Sequence, residues 1–183
     1  MHCIELGLLW LDAHPDISTP AMYNHEHAMV LGNLLGEGDP EFSSEVKFPI
    51  KSNMVMYGGL KEITPNEKKI VNRLGLRWAS PKALAETSAP VLDWLTKNQI
   101  KHLAVHFDLD VLNPSLFRSL LFSKPGEPPF NAPSGDMTLQ QIARLIHDIY
   151  KQTDVVGLSI AEHLPWDALN LRNFMTAVPI FKQ

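Results

Sequence analysis

The sequence has very little cysteine, no long apolar run and no basic segment. Its 183 residues contain one cysteine, Cys3, so an internal disulfide is impossible and a disulfide-stapled secreted scaffold is excluded. No window approaches the ~18 consecutive apolar residues that a membrane-spanning helix needs. The first residues also lack the basic stretch that opens a signal peptide. We therefore expect a soluble, cytoplasmic protein that has no membrane partner.

Positive charge is scarce as well. The chain carries 16 Lys+Arg against 20 Asp+Glu, for a formal net charge of -4, and the basic residues form no run. This distribution argues against nucleic acid as a partner. The hydrophobic fraction of 45% is close to the globular average. Since domains typically run ~100–200 residues, we predict a single domain over residues 1–183.

Short apolar runs alternate with helical patterns, which is typical of an α/β sheet. The candidate strands are Leu6–Leu11, Asn53–Tyr57, Leu76–Trp78, His102–Phe107 and Val155–Ile160. Several of these runs are apolar at nearly every position, which favours a mainly parallel sheet covered by helices on both faces. Between the strands, the proline-rich segment Phe122–Gly135 is predicted to be one long irregular loop.

Threonines mark the starts of two predicted helices. Thr64 and Thr138 are each followed three residues later by Glu or Gln, which is the pattern of a capping box. We predict helices after both, the first ending at Gly75. Two further helices are predicted, one at Pro90–Asn98 and one that begins near Trp166.

Two acidic clusters follow candidate strands. Asp12, His14 and Asp16 come after the first strand, and Asp108 and Asp110 after the fourth. In extended chain, residues two apart share a face, and the carboxyl ends of strands are where α/β sheets bind ligands. Carboxylates that converge there repel one another unless a cation intervenes. Carboxylates mixed with imidazole suit a divalent ion such as Mn²⁺.

Each cluster taken alone has a simpler explanation. An isolated Asp-x-His-x-Asp is more often part of a capped loop than of a metal site, and Asp108 with Asp110 could cap a turn. Two such clusters, each after a buried strand, favour a metal site.

The same residues resemble the motifs of the ureohydrolase superfamily, which comprises arginases, agmatinases and formiminoglutamases. Residues 12–16, Asp-Ala-His-Pro-Asp, resemble its Asp-Ala-His-x-Asp motif. Residues 106–110, His-Phe-Asp-Leu-Asp, resemble its Ser-Phe-Asp-x-Asp motif, with His106 in place of the usual Ser. The match continues in the family's order through residues 27–29, 133–135 and 161–165. The resemblance implies a three-layer α/β/α fold, two Mn²⁺ ions, and attack of a hydroxide on a guanidino substrate with release of urea.

The resemblance also implies a set of metal ligands. Asp12 and Asp108 would bridge both metals, His14 and Asp110 would complete one site, and Asp16 would serve the other. The family takes one further ligand from a Gly-Gly-Asp-His-like motif upstream of the first cluster, and no such motif precedes Asp12. We therefore expect a sheet without the family's first strands, and one or two bound metals.

The remaining roles are catalytic and substrate-binding. By resemblance, His27 would be the proton-transfer histidine and Glu162 the carboxylate that pairs with the substrate guanidinium. Ser18 stands where arginases carry an Asn that holds the substrate carboxylate. Thr64 stands where the family has an Asp that orients the substrate amine. Alternatively, Thr64 is a helix cap and has no substrate role.

Two functions remain open from the sequence. The first is a manganese-dependent hydrolase that acts on a linear C–N bond of a guanidino, arginine-like substrate. The second is a catalytically impaired or non-catalytic protein with the same fold that acts as a binding or assembly partner. In either case, and also for a shortened form of an ordinary enzyme, Val155–Ile160 or a neighbour would become an apolar sheet edge. We therefore expect a homo-oligomer.

Overall fold

The computed structural model describes residues 6–128, 133–166 and 168–181, and Cys3 lies outside these ranges. The strands in this part of the chain are β1 (Leu6–Leu11), β2 (Val55–Gly58), β3 (Arg77–Ala79), β4 (His102–Asp108) and β5 (Asp154–Ala161). Its α-helices are α1 (Val30–Leu35), α2 (Pro40–Glu45), α3 (Pro65–Leu74), α4 (Ala89–Lys97), α5 (Leu139–Tyr150) and α6 (Ala168–Ala177). All five predicted strands are therefore present, displaced by at most a few residues.

The strands form one five-stranded sheet in the order β3-β2-β1-β4-β5. Every pairing is parallel, which confirms the predicted parallel sheet. β1 lies at the centre, where Trp10 pairs with His106 and Leu11 with Phe107 of β4. Since all strands run in the same direction, the residues that follow β1 and β4 lie side by side at the carboxyl ends of these strands.

Helices cover both faces of the sheet, as the three-layer prediction requires. Leu8 and Trp10 of β1 pack with apolar side chains of α1 and α3. Leu9 and Leu11 point the other way and pack with α4, α5 and α6. The side chains of Leu9 and Leu11 are completely buried, because a central parallel strand is enclosed on both sides.

The predicted helix starts are confirmed. Thr64 and Thr138 both form complete capping boxes, at α3 and α5. The helix α3 ends at Gly75, whose φ of 64° is left-handed and suits a residue without a side chain. The predicted irregular loop contains one 3₁₀ turn, Leu121–Ser123, that overlaps its start, and no strand or α-helix in its described part; residues 129–132 lie outside that part.

The helices α1 and α2 are short and were not predicted. The helix α2 has a readable start signal, because Asp39 caps it and Pro40 occupies its first turn. The side chain of Asp39 accepts hydrogen bonds from the backbone N–H groups of Glu41 and Phe42. Among the described helices, none combines the length and the apolar character needed to cross a membrane.

Candidate metal centre

The carboxyl ends of β1 and β4 bring three buried aspartates together. Asp12 directly follows β1, Asp108 is the last residue of β4, and Asp110 lies in the 3₁₀ helix Leu109–Val111. Their exposed fractions are only 1%, 7% and 4%. Two backbone hydrogen bonds hold the loops in place, from His14 N to Asp12 Oδ1 (2.7 Å) and from Asp110 N to Asp108 Oδ1 (2.9 Å).

Three overlapping groups of side chains could hold a metal ion among the described residues. In each group, one ligand atom per residue lies within 4.8 Å of the others. The groups are Asp12, His14 and Asp110; Asp12, His106 and Asp108; and Asp108, Asp110 and Glu162. Since Asp12, Asp108 and Asp110 each belong to two groups, the centre is one continuous cluster of ligands.

The imidazole of His14 contacts two of the predicted metal ligands, Asp12 and Asp110. Its Nδ1 lies 2.8 Å from Asp110 Oδ2 and 3.6 Å from Asp12 Oδ1. Burial lowers the pKa of His14, but hydrogen bonds to Asp110 and then Asp12 outweigh it and raise the pKa from 6.5 to about 11.

Residues 12–16 do not continue β1 as extended chain, so the expected alternation of faces is wrong here. The strand ends at Leu11, because the side chain of Asp12 accepts the N–H of His14 and closes a turn. Asp16 has a left-handed φ of 46°. It still lies close enough for the charges of Asp12 and Asp108 to act on it, but it belongs to none of the three ligand groups.

Burial raises the pKa values of the carboxyl groups at the centre. The pKa of Asp12 rises from 3.8 to about 7 and that of Asp108 from 3.8 to about 9, since burial disfavours the charged form and Asp110 adds repulsion. The pKa of Asp16 lies well above its usual value, because of burial and then the charges of Asp12 and Asp108. A divalent cation would offset this repulsion.

Glu162, predicted to bind the substrate, reaches the same cluster. It follows β5 with a left-handed φ of 61°, an uncommon conformation that tends to occur at functional sites. Its carboxylate lies within 4.8 Å of ligand atoms on Asp108 and Asp110. Burial raises its pKa, and the charge of Asp110 raises it further.

The other predicted site residues lie further from the carboxylates or have other partners. The Ser18 hydroxyl is buried and donates to Glu67 Oε1 at 2.7 Å. Thr64 Oγ1 donates to Glu67 Oε2 at 2.7 Å as part of its helix cap. His27 is exposed, with its ring centroid 5.7 Å from that of His25, and it belongs to none of the ligand groups found in the described residues.

Three residues of the centre were not predicted from the sequence: Trp10, Tyr57 and His106. Trp10 Nε1 donates to Asp12 Oδ2 at 3.0 Å, and the Tyr57 hydroxyl donates to Pro15 O at 2.9 Å. Burial lowers the pKa of His106 from 6.5 to about 4. Trp10 and His106 each lie two residues before a predicted ligand, so the period of a strand could have placed them on the ligand face.

The donor set fits a divalent metal. Buried carboxylates and imidazole nitrogens suit borderline-hard ions such as Mn²⁺. A cysteine thiolate would favour a structural zinc site, but none belongs to the ligand groups of the described residues. The raised pKa values point the same way, because these carboxylates pack closely with few cationic partners.

Known proteins share both the sequence pattern and the fold. The Arginase family model matches residues 2–178. Human Arginase-1 is 27% identical over 173 residues, which cover 88% of this chain and 51% of the relative. An arginase from Glaciozyma antarctica is 30% identical over 125 residues, which cover 61% of this chain and 36% of the relative. The chain thus spans about half the length of the curated relatives it matches, or less.

Solved structures agree with this assignment of the fold. The arginase of Bacillus cereus superposes with a TM-score of 0.80 at 17% identity, over 98% of this chain and 63% of that protein. The formimidoylglutamase of Bacillus subtilis gives a TM-score of 0.65 at 17% identity, over 94% of this chain and 50% of that protein. At these identities the likeness concerns the fold alone. With the family match over nearly its whole length, the chain belongs to the arginase family.

Proposed function

We propose that this chain is a manganese-dependent hydrolase that cleaves a linear C–N bond of a guanidino, arginine-like substrate and releases urea. The single observation that supports this most strongly is the continuous cluster of Asp12, His14, Asp108 and Asp110 with Glu162 at its margin. The family match supports the same reading. Divalent metal ions bound there would supply Lewis acidity and lower the pKa of water.

The aspartates are proposed to hold the metals in the arrangement that the family resemblance implies. Asp12 and Asp108 would bridge the metals, as the resemblance implies, and each belongs to two ligand groups, as Asp110 also does. His14 and Asp110, whose Nδ1 and Oδ2 atoms lie 2.8 Å apart, would complete one site. Asp16 would contribute to the other.

Glu162 is proposed to bind the guanidinium group of the substrate. A planar guanidinium pairs with a carboxylate through two parallel charge-assisted hydrogen bonds. The position of Glu162, within 4.8 Å of Asp108 and Asp110, would place the carbon of such a group next to the metal ligands. This position supports the proposed role of Glu162 in holding the substrate beside the metals.

Ser18 is proposed to bind the substrate carboxylate, and His27 is proposed to transfer a proton. Ser18 would bind the substrate carboxylate, which requires that its hydroxyl exchange its hydrogen bond to Glu67 for one to the substrate or to a bridging water. His27, exposed beside Tyr23 and His25, can exchange protons with solvent and would carry a proton to or from the product amine.

Turnover on guanidino compounds tests the proposal. The full chain, loaded with Mn²⁺, is assayed for urea release from arginine, agmatine and guanidino acids, with metal content measured on the same samples. We expect urea from at least one substrate and one or two manganese ions per chain. No turnover on any of them would contradict the hydrolase whatever the metal content, and zero or one metal per chain would then favour a non-catalytic binding or assembly partner.

The substitution Glu162→Gln gives a sharper prediction. Removing the charge while keeping the shape should lower kcat/KM by about 10- to 100-fold, the value of a charge-assisted hydrogen bond. Manganese content should be unchanged. The exposed Glu86→Gln serves as a matched control. Equal kcat/KM values for both variants would exclude Glu162 from substrate binding, and a loss of manganese would make it a metal ligand instead.

A further inference from the structure

A second imidazole, that of His106, lies beside Asp12 and Asp108. Ligand atoms of Asp12, His106 and Asp108 all lie within 4.8 Å of one another. This group shares Asp12 with the group that contains His14, but it uses a different imidazole. Two overlapping groups that could hold a metal ion thus each contain an imidazole of their own.

The sheet register explains why His106 points into the centre. His106 pairs with Trp10 between the neighbouring strands β4 and β1. Residues two apart in a strand share a face, so His106 lies on the same face as Asp108, and Trp10 on the same face as Asp12.

Contacts on both rings fix this orientation. The Trp10 and His106 rings stack with centroids 3.8 Å apart and an angle of 23° between their planes. The Trp10 Nε1–H also donates to Asp12 Oδ2, so a single indole orients both the imidazole and one carboxylate.

The second nitrogen of His106 also has a partner suited to metal binding. Its Nδ1 lies 2.9 Å from the hydroxyl of Ser159 on β5. When this hydroxyl accepts the Nδ1 proton, the lone pair of the imidazole is on Nε2. Histidines that bind metals commonly donate their other nitrogen to such a partner, which sets both the tautomer and the ring orientation.

The family resemblance does not assign His106 to a metal. It places Ser at this position and gives the second site only Asp12, Asp16 and Asp108. A neutral nitrogen donor would add a ligand to that site without adding negative charge, so it would not increase the repulsion among the carboxylates. We propose that His106 is a ligand of the second metal ion, together with Asp12 and Asp108. This proposal rests on the proposed metal centre.

Metal binding by the full chain and by His106→Phe tests this assignment. Phenylalanine keeps an aromatic ring to stack on Trp10 but has no nitrogen. After removal of metal with a chelator, Mn²⁺ is titrated by calorimetry and counted by mass spectrometry. We expect two ions in the wild type, and in the variant one ion or a second site weakened at least about tenfold.

His102→Phe is the matched control. His102 lies on β4 too, but its Nδ1 faces Asp154 and it is in none of the three ligand groups. It should bind manganese as the wild type does. Two ions of unchanged affinity in His106→Phe would overturn the role of His106 and leave the metal centre intact, whereas no manganese in the wild type would overturn both.

A spectroscopic readout covers the case in which His106→Phe fails to fold. The variant His14→Ala removes the other imidazole of the centre. Pulsed electron paramagnetic resonance of this variant with Mn²⁺ should still detect a nitrogen coupled to the metal, and absence of that coupling would overturn the proposal. If manganese binds as expected but no guanidino compound is hydrolysed, the proposed function fails while the assignment of His106 stands.

Discussion

At the scale of single residues, the centre is an accumulation of buried carboxyl groups. Asp12, Asp108 and Asp110 are nearly inaccessible, and His14 is the histidine that forms ion pairs with them. Burying carboxylates with too few cationic partners lowers the free energy of unfolding. The same carboxylates provide a place to bind a cation.

The metal-stripped protein should lose stability as the pH rises from 7 to 9. Asp108, with a usual pKa of 3.8, is ionised in the unfolded chain at these pH values, but in the fold it keeps its proton up to a pKa of about 9. The folded state therefore binds more protons than the unfolded state in this range, so raising the pH shifts the equilibrium towards the unfolded chain. His14, with its pKa of about 11, acts in the same direction. The expected slope is on the order of 1 kcal/mol per pH unit.

Urea unfolding of chelator-treated protein at several pH values measures this slope. The variant Asp108→Asn should show a shallower dependence, because its amide does not titrate. Saturating Mn²⁺ should raise the free energy of unfolding of the wild type most at pH 9. A wild-type stability that is constant or increases between pH 7 and 9 without metal would contradict this account.

At the scale of elements, the loop after β4 depends on a neighbouring segment at its back. Gly135 N donates to Asp110 O (2.8 Å), and Met137 N donates to Val111 O (3.1 Å). Met137 also forms a parallel bridge with Leu112. The segment around Gly135, which belongs to one of the motifs quoted above, thus holds the loop that carries Asp110.

Gly135→Ala should disturb this loop severely. A Cβ at Gly135 would lie 1.9 Å from Val111 O, and backbone atoms cannot move away cheaply. We expect a loss of about 3 kcal/mol in the free energy of unfolding and weaker manganese binding. Gly157→Ala on β5 is the control, because a Cβ there meets nothing within 4 Å. Similar stability and metal binding in the two variants would contradict the supporting role of Gly135.

Thr64→Ala separates helix capping from substrate binding. The Thr64 hydroxyl both accepts from Glu67 N and donates to Glu67 Oε2, so its loss should cost about 1 kcal/mol of stability without a change in KM. Thr138→Ala, which removes the same kind of cap from α5, should cost a similar amount. A higher KM in Thr64→Ala alone, with stability unchanged, would instead give Thr64 a place in the substrate site.

At the scale of the whole molecule, β5 forms one edge of the sheet in the described part of the chain. Val155 pairs with Leu103, and Gly157 with Ala104, so Val156 between them has no register partner on β4. Its side chain is 53% exposed. An exposed apolar edge strand invites pairing with another chain, and this is the basis of the prediction that the protein forms a homo-oligomer.

Val156→Lys should weaken self-association. A lysine on an edge strand opposes pairing because its charge has to remain in water. Light scattering over a range of concentrations should show an oligomer for the wild type and a smaller species for the variant. Trp78→Lys, on the opposite edge strand β3 and 57% exposed, is the matched control. A wild type that stays monomeric at all concentrations would exclude this interface.

The sequence by itself determined the strands, the capped helices and the two acidic clusters. Those features depend on residues close together in the chain, through the period of a strand or the hydrogen bonds of a helix cap. The helices α1 and α2 escaped prediction because each has only six residues, which is too short to show a helical period. The turn at Asp12 escaped because one side-chain hydrogen bond there replaces the extended geometry of the strand.

Tertiary structure alone decided which distant residues complete the centre. The place of His106 beside Asp12 follows from the pairing of β1 with β4, two strands that α1, α2, α3 and α4 separate along the chain. The hydrogen bond from Ser18 to Glu67 likewise depends on how α3 packs on the sheet. Local sequence rules act over a few residues, whereas strand order and helix packing are set by burial of the whole core. The acidic clusters were therefore visible in the sequence, and the period of a strand could have placed His106 on the face of Asp108. Only the fold shows that His106 also lies beside Asp12.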